Sequence, residues 1–245
     1  MKLIPLGAAA LTLALTLPAQ AEMSDSERKA FRNEVRAYLL EHPEVLMEAF
    51  TALEERQQAD QVNADLERLA THADEIFRDP ASWVGGNPDG DITVVEFIDY
   101  RCGYCRKANE EVEELVKSDG NIRFVLKEYP ILGEESVTAS RFAIAVLQLA
   151  GADAYKLAHD RLLALRGAVT TDTLGRLADD MKLDRTAILD RMNADEVTRV
   201  IAANHDLATT LEISGTPTFV IDRTMVRGYV PLDGMRQIVA GQRAD

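Results

Sequence analysis

The sequence predicts an α/β fold preceded by a helical arm, and three observations carry that expectation. A strand-like run at 92–98 leads through a helical stretch into a second run at 122–129, so this part reads β–α–β. From 136 to about 211 the chain is helical throughout, and strand character returns at 218–222 and 225–229 before a last helix. Residues 22–78, by contrast, are helical and charged, with no strand pattern.

The chain opens with Lys2, an apolar run over 3–17, and Pro18-Ala19-Gln20-Ala21. That is the pattern of a secretory signal with the cut expected after Ala21. The run falls short of the roughly 20 residues a spanning helix needs. The expected destination is export, in a bacterium to the periplasm. A net charge of −14 argues against nucleic-acid partners and against an anionic membrane surface.

Within 22–78 a first helix stops near His42-Pro43, and Pro43 suits the first turn of a second. Val45, Leu46, Ala49, Phe50 and Leu53 make a one-sided apolar stripe, which resumes at Val62, Leu66, Leu69, Ala73 and Ile76. The polar interval 54–61 suits either continuous helix or a joint. An arm of this length cannot bury its stripe on itself, so it is expected to serve self-association. Packing onto its own domain is the alternative.

Asp79-Pro80 closes the arm, and residues 79–245 form the expected main domain, with a short strand around Trp83. Ile92 to Ile98 is the first strong strand. After the helix that follows, Asp119-Gly120-Asn121 turns the chain into the strand at 122–129, parallel to the first. The helical block about 136–211 breaks at Gly151, Gly167 and 182–184, and the final helix is expected over about 231–240. In order this is βαβ, an inserted helical block, then ββα, which is a thioredoxin-like arrangement.

The chemistry sits in Cys102-Gly103-Tyr104-Cys105, which holds the only two cysteines. A helix start carries unsatisfied N–H groups and a positive dipole end, which stabilise a thiolate, the species that attacks a disulfide. The leading cysteine is expected to be exposed and acidic, the second buried one turn deeper. Zinc would need a second ligand pair, yet His42, His72, His159 and His205 lack ligand spacing. Arg106 stands where haem attachment needs histidine. A purely structural bridge across so short a loop would contribute only about 2 kcal/mol.

Over 100 residues later comes Ser214-Gly215-Thr216-Pro217-Thr218 before a buried-looking strand. Proline is awkward there, because it removes a ladder donor. A cis Thr216–Pro217 bond would resolve this and leave the Thr216 backbone free to pair with a substrate peptide. An ordinary trans bond at a strand start is the alternative; the upstream dithiol favours cis.

Together, Val-Val-Glu-Phe-Ile-Asp-Tyr-Arg-Cys-Gly-Tyr-Cys, Lys-Glu-Tyr-Pro-Ile-Leu-Gly and the late Thr-Pro resemble the DsbA-like branch of the thioredoxin superfamily, over about 80–245. The stretch Tyr-Leu-Leu-Glu-His-Pro-Glu-Val-Leu-Met-Glu-Ala resembles the leading segment of ScsC-type (suppressor of copper sensitivity) proteins, whose oligomeric members assemble through it. The resemblance implies Cys102 as nucleophile, Cys105 as resolving thiol, and Gly103, Tyr104, Thr216 and Pro217 as the substrate-facing residues. Glu96 matches a buried acid beneath the dithiol that could move a proton to or from Cys105. Its alternative is a solvent-facing acid on an edge strand. Lys127 is either its charge partner or a surface lysine.

Gly103-Tyr104 supplies no imidazole to hold the thiolate, and threonine precedes the proline as in DsbC-type isomerases, so a mildly oxidising couple is expected. The reading is a periplasmic disulfide isomerase/reductase acting on unfolded or misoxidised exported proteins. The resemblance further implies a homo-oligomer, with a trimer favoured, and a membrane electron donor of the DsbD/ScsB type. No cofactor is expected beyond a redox-active Cys102–Cys105 disulfide. The alternatives are a monomeric dithiol oxidase, or a periplasmic protein holding Cu(I) on Cys102 and Cys105.

Overall fold

The computed structural model describes residues 23–244; the expected signal segment 1–21 and its cut lie outside the described residues. The chain divides into two compact units, 1–58 and 59–245.

Within the first unit, helix α1 (Asp25–Glu41) starts at a capping box, in which the Ser24 side chain and the Glu27 carboxylate satisfy each other's backbone N–H. Helix α2 (Glu44–Thr71) follows Pro43, and the polar interval 54–61 lies inside it as helix. No residue of α1 is buried. Phe31, Tyr38, Leu40, Met47 and Phe50 are all exposed.

The second unit is built on a five-stranded sheet: β1 (Trp83–Gly86), β2 (Ile92–Ile98), β3 (Ile122–Glu128), β4 (Thr218–Ile221) and β5 (Thr224–Arg227), in spatial order β1-β3-β2-β4-β5. Strands β2 and β3 run parallel, as the β–α–β order requires, and the other pairs are antiparallel. Helices α3 (Ala73–Phe77), α4 (Gly103–Asp119), α5 (Glu134–Ala164), α8 (Asp195–Thr210) and α9 (Leu232–Ala244) pack on it, and α6 (Thr171–Asp180) and α7 (Arg185–Arg191) pack on α5. Gly151, at φ 84°, interrupts α5 where the sequence reading places a break. Helix α9 runs on through Gly241, because Arg243 is held by Asp91 and Asp119 at 2.7 Å each.

The period-two alternation of the central strands creates two cores, one on each face. Val94, Ile98, Phe124, Leu126 and Phe219 pack under α4, α5 and α9. Val95, Phe97, Val125 and Val220 pack against α3 and α8. Leu69 and Ile76 belong to this second core, at 3 % and 0 % exposure. The apolar stripe therefore changes partners along its length: Val62 and Leu66 are exposed, whereas Leu69 and Ile76 are interior residues. The expected arm runs to 78, and the two compact units divide at 58/59, so residues 59–78 fall with the second unit.

Candidate active site

Helix α4 exists because Cys105, Ala108, Val112 and Leu115 recur at spacings of three and four and bury one stripe in the core. Gly120, in left-handed conformation at φ 74°, ends it. Cys102 occupies the N-cap, where serine or aspartate would normally accept backbone hydrogen bonds. As a thiol it makes no such cap bond. As a thiolate it draws on the N–H groups of that first turn.

Both cysteines are free thiols. Cys105 is fully buried, and Cys102 is only 7 % exposed, more covered than the sequence reading expects of a leading cysteine. The Thr216 loop lies against it, with Sγ donating to the Thr216 carbonyl at 3.1 Å. The Thr216–Pro217 bond is cis, the isomer favoured by the sequence reading.

The electrostatics separate the two sulfurs. A hydrogen bond from the Cys105 thiol lowers Cys102 most; burial opposes it, and the Thr216 side chain and the N–H groups of Cys105 and Tyr104 bring it down to about 5. The Thr216 carbonyl acts in the opposite sense, since it can only accept from the neutral thiol. Cys105 is pushed far up, by burial first, then by its hydrogen bond to Cys102 and the charge of Glu96. One sulfur is ionised at neutral pH and its neighbour is not.

Glu96 lies on β2 opposite Leu126 of β3 and Phe219 of β4, so it faces the same core as Cys105. It is 2 % exposed, and its Oε1 has no hydrogen-bond partner among the described residues. Burial pushes its carboxyl up to about 8, and the charge on Cys102 adds to the rise. Lys127 neither pairs with Glu96 nor lies at the surface. Its register partner is Phe97, so the alternation turns it to the opposite face of the sheet. There, at 1 % exposure, Nζ donates to Asp79 at 2.9 Å and to Ser82 at 3.1 Å. Burial alone would raise the Asp79 carboxyl, but the Lys127 charge holds it below its ordinary value.

Around the dithiol the surface is open and aromatic. Gly103 is exposed and Tyr104 is 62 % exposed. The Tyr104 ring stacks on Tyr229 at 6.2 Å, and Lys107 Nζ stands 4.0 Å from the Tyr229 ring centre. Glu111 fixes this platform, accepting from Tyr229 Oη and from the Leu232 N–H at 2.6 Å each. The sequence reading does not identify Tyr229, Lys107 or Glu111. The i, i+4 spacing of Lys107 and Glu111 on α4 was the available signal, but their common partner lies over 100 residues away. A cavity of about 730 Å³ lies elsewhere, on the α3–α8 face beside Asp79, Lys127 and Asn204. Exchange with a protein disulfide needs an accessible surface rather than an enclosed pocket, so that cavity is set apart from the dithiol.

A central strand running into a dithiol at a helix N-terminus, faced by a cis-proline loop, defines a thioredoxin-type site on a thioredoxin-like fold. The chain belongs to the DSBA-like thioredoxin domain family, which matches residues 93–240. Residues 27–60 match the copper resistance protein ScsC N-terminal domain. Among solved structures, a thioredoxin-like oxidoreductase from Silicibacter pomeroyi is 41 % identical, covering 70 % of this chain and 98 % of that one with a TM-score of 0.66. Proteus mirabilis ScsC in a transitional conformation is 27 % identical, covering 92 % of this chain and 99 % of that one, TM-score 0.66. The Na(+)/H(+) antiporter NhaA 3 from Salinispora tropica is 33 % identical over 160 residues, 64 % of this chain and 24 % of the antiporter. The chain thus spans about a quarter of the length of the antiporters it matches. Among the described residues no helix is long and apolar enough to cross a membrane.

Proposed function

We propose that this chain is a periplasmic thiol–disulfide oxidoreductase that isomerises and reduces disulfides of unfolded or misoxidised exported proteins. The observation that carries the reading is the geometry of the dithiol: Cys102 at the N-cap of α4 against the cis Thr216–Pro217 loop, with Cys105 fully buried one turn behind it.

The Cys102 thiolate attacks one sulfur of a substrate disulfide. That S–S bond breaks, a mixed disulfide forms, and the other substrate cysteine leaves as a thiolate. In isomerisation a substrate thiolate attacks the mixed disulfide, a rearranged substrate bond forms and Cys102 leaves as it began. In reduction Cys105 gives its proton to the ionised fraction of Glu96, which grows as pH approaches 8, and attacks Cys102 Sγ. The second substrate thiolate leaves, a Cys102–Cys105 disulfide closes, and two electrons have passed to the substrate. Loss of the Cys102 charge in the mixed disulfide removes one of the causes that hold Cys105 up and one of those that hold Glu96 up, so both groups ionise more readily at that step. A membrane electron donor of the DsbD/ScsB type would restore the dithiol.

Gly103, Tyr104, Thr216 and Pro217, with Tyr229 beside them, form the surface offered to the substrate chain. A thiol near 5 lies between the strongest oxidants of this fold and thioredoxin, which suits a milder couple. Exposed Phe31, Tyr38, Leu40, Met47 and Phe50 support self-association through the arm, and the ScsC N-terminal match is consistent with a homo-oligomer. The copper link comes with that match, and two thiolates are soft enough to hold Cu(I). The test is trapping: Cys105→Ser should accumulate mixed disulfides through Cys102, and Cys102→Ser should abolish both them and insulin reduction. Insulin reduction that survives Cys102→Ser would remove the proposal.

A further inference from the structure

A second buried carboxyl, Glu128 at the end of β3, takes no part in the exchange chemistry above. It is 3 % exposed, and two hydroxyls converge on its Oε1: Tyr100 at 2.7 Å and Tyr155 at 2.6 Å. Tyr100 Oη also stands 3.3 Å from His159 Nδ1, and His159 Nε2 stands 3.2 Å from Asn109 Oδ1. Asn109 lies on α4, four residues beyond Cys105. The contacts join the loop before Cys102, the dithiol helix, β3 and α5.

The hydrogens in this chain can be counted. Asn109 Nδ2 donates to Glu113 Oε1 at 3.3 Å, which turns its Oδ1 toward His159. An amide oxygen only accepts, so His159 Nε2 carries a hydrogen. Burial drives the His159 imidazolium down to about 3, with the Lys156 charge adding, so the ring is neutral and its Nδ1 is an acceptor. Tyr100 is the donor in reach of that nitrogen. Its hydroxyl has one hydrogen and two claimants, His159 Nδ1 and Glu128 Oε1. With a proton on Glu128, Oε1–H donates to Tyr100, Tyr100 donates to His159, and His159 donates to Asn109. Without it Tyr100 turns to the carboxylate, and a buried imidazole nitrogen loses its donor.

We propose that Glu128 is a positioning residue for the dithiol: one proton on its carboxyl completes a one-way hydrogen-bond chain through Tyr100 and His159 to Asn109, joining the loop before Cys102 to α4, and loss of that proton breaks the chain between Tyr100 and His159, uncoupling that loop from the helix. The consequence for exchange rests on the dithiol reading above; the relay itself does not.

The surroundings place the switch near neutrality. Burial pushes the Glu128 carboxyl up to about 7, against the hydroxyls of Tyr155, Ser140 and Tyr100; the negative charge of Asp99 adds to the rise. Ser140 stands close without a formed hydrogen bond. Asp99 and Tyr100 face Glu128 from the loop after β2, Tyr155 and His159 from α5. From α8 Asn204 Nδ2 donates to the Glu128 backbone carbonyl at 3.0 Å. Burial and Glu128 hold both tyrosine hydroxyls far above their ordinary values, so their protons stay on. A carboxyl is then the group that changes state.

The test follows His159 by nitrogen NMR and Cys102 by alkylation rate from pH 5 to 9, in the reduced full chain. Expected in wild type are the Nε2–H tautomer, loss of the Nδ1 hydrogen bond near pH 7, and a Cys102 rate that rises near pH 5 and steps down near 7. Glu128→Gln, whose amide always donates, should keep the Nδ1 bond throughout and abolish the second step. Tyr100→Phe should remove the Nδ1 bond at every pH. An Nδ1–H tautomer, or an Nδ1 signal flat with pH in wild type, overturns the proposal however the variants fold. A rise near pH 5 with no second step also overturns it, leaving the dithiol reading intact. An inert Cys102 beside a responsive His159 would sink the dithiol reading instead.

Discussion

Glu96 and Cys102 pull the pH dependence of stability in opposite directions. The Glu96 carboxyl rises from 4.5 in the free chain to about 8 in the fold, so the folded state keeps a proton the unfolded chain releases. Its contribution is fully present below 4.5 and is lost as pH rises through 8. Cys102 falls from 9.0 to about 5, so its contribution is present above 9 and lost as pH falls through 5. Glu96→Gln removes only the first. Relative to wild type, the variant should gain stability between pH 5 and 8, by up to about 1.4 kcal/mol per unit, in denaturant titrations. A constant gap across that range would mean that Glu96 titrates normally. At Lys127 the expectation is a large loss: Asp79→Asn leaves a buried ammonium without its counter-charge, costing about 3–5 kcal/mol. A thermal scan showing near-neutral behaviour would contradict that pairing.

At the scale of elements, the C-terminal part of α2 belongs to the catalytic unit. Arg227 holds Asp65 through two bonds of 2.7 and 2.8 Å, and Leu69 is interior. Leu69→Ala should cost about 2–5 kcal/mol, whereas exposed Val62→Ala should cost no more than about 0.5. Equal losses in equilibrium unfolding would count against the observed division of the stripe. That division was not legible beforehand, because a 4-3-4-3 spacing marks an apolar face without saying what covers it. Much else was legible. Glycine punctuation at 151 and 167 gave the breaks in the helical block, and the alternation Val94, Glu96, Ile98 gave Glu96 its buried face. The same alternation, Phe124, Leu126, Glu128, marks Glu128 as interior. Lys127 needed more: only the β2–β3 register shows which side of the sheet it takes. The Tyr104–Tyr229 platform is a tertiary contact with no local pattern behind it.

For the whole molecule, the account joins one chemistry to one assembly. Exchange needs a single ionised sulfur, and Cys102 meets that need alone. Isomerisation gains from several such sulfurs facing one misfolded chain, which is the part assigned to the arm. In the proposed function, the apolar face of 23–58 serves assembly rather than the stability of the catalytic unit. Phe31→Ala with Phe50→Ala should therefore lower the mass in solution while leaving the unfolding of residues 59–245 unchanged. The most direct measurement compares the full chain with residues 59–245, at equal active-site concentration, in refolding scrambled ribonuclease. The account predicts that the full chain, as an oligomer, restores ribonuclease activity. The shorter chain, as a monomer, should fail to do so while still reducing insulin. Equal refolding by both chains would contradict it.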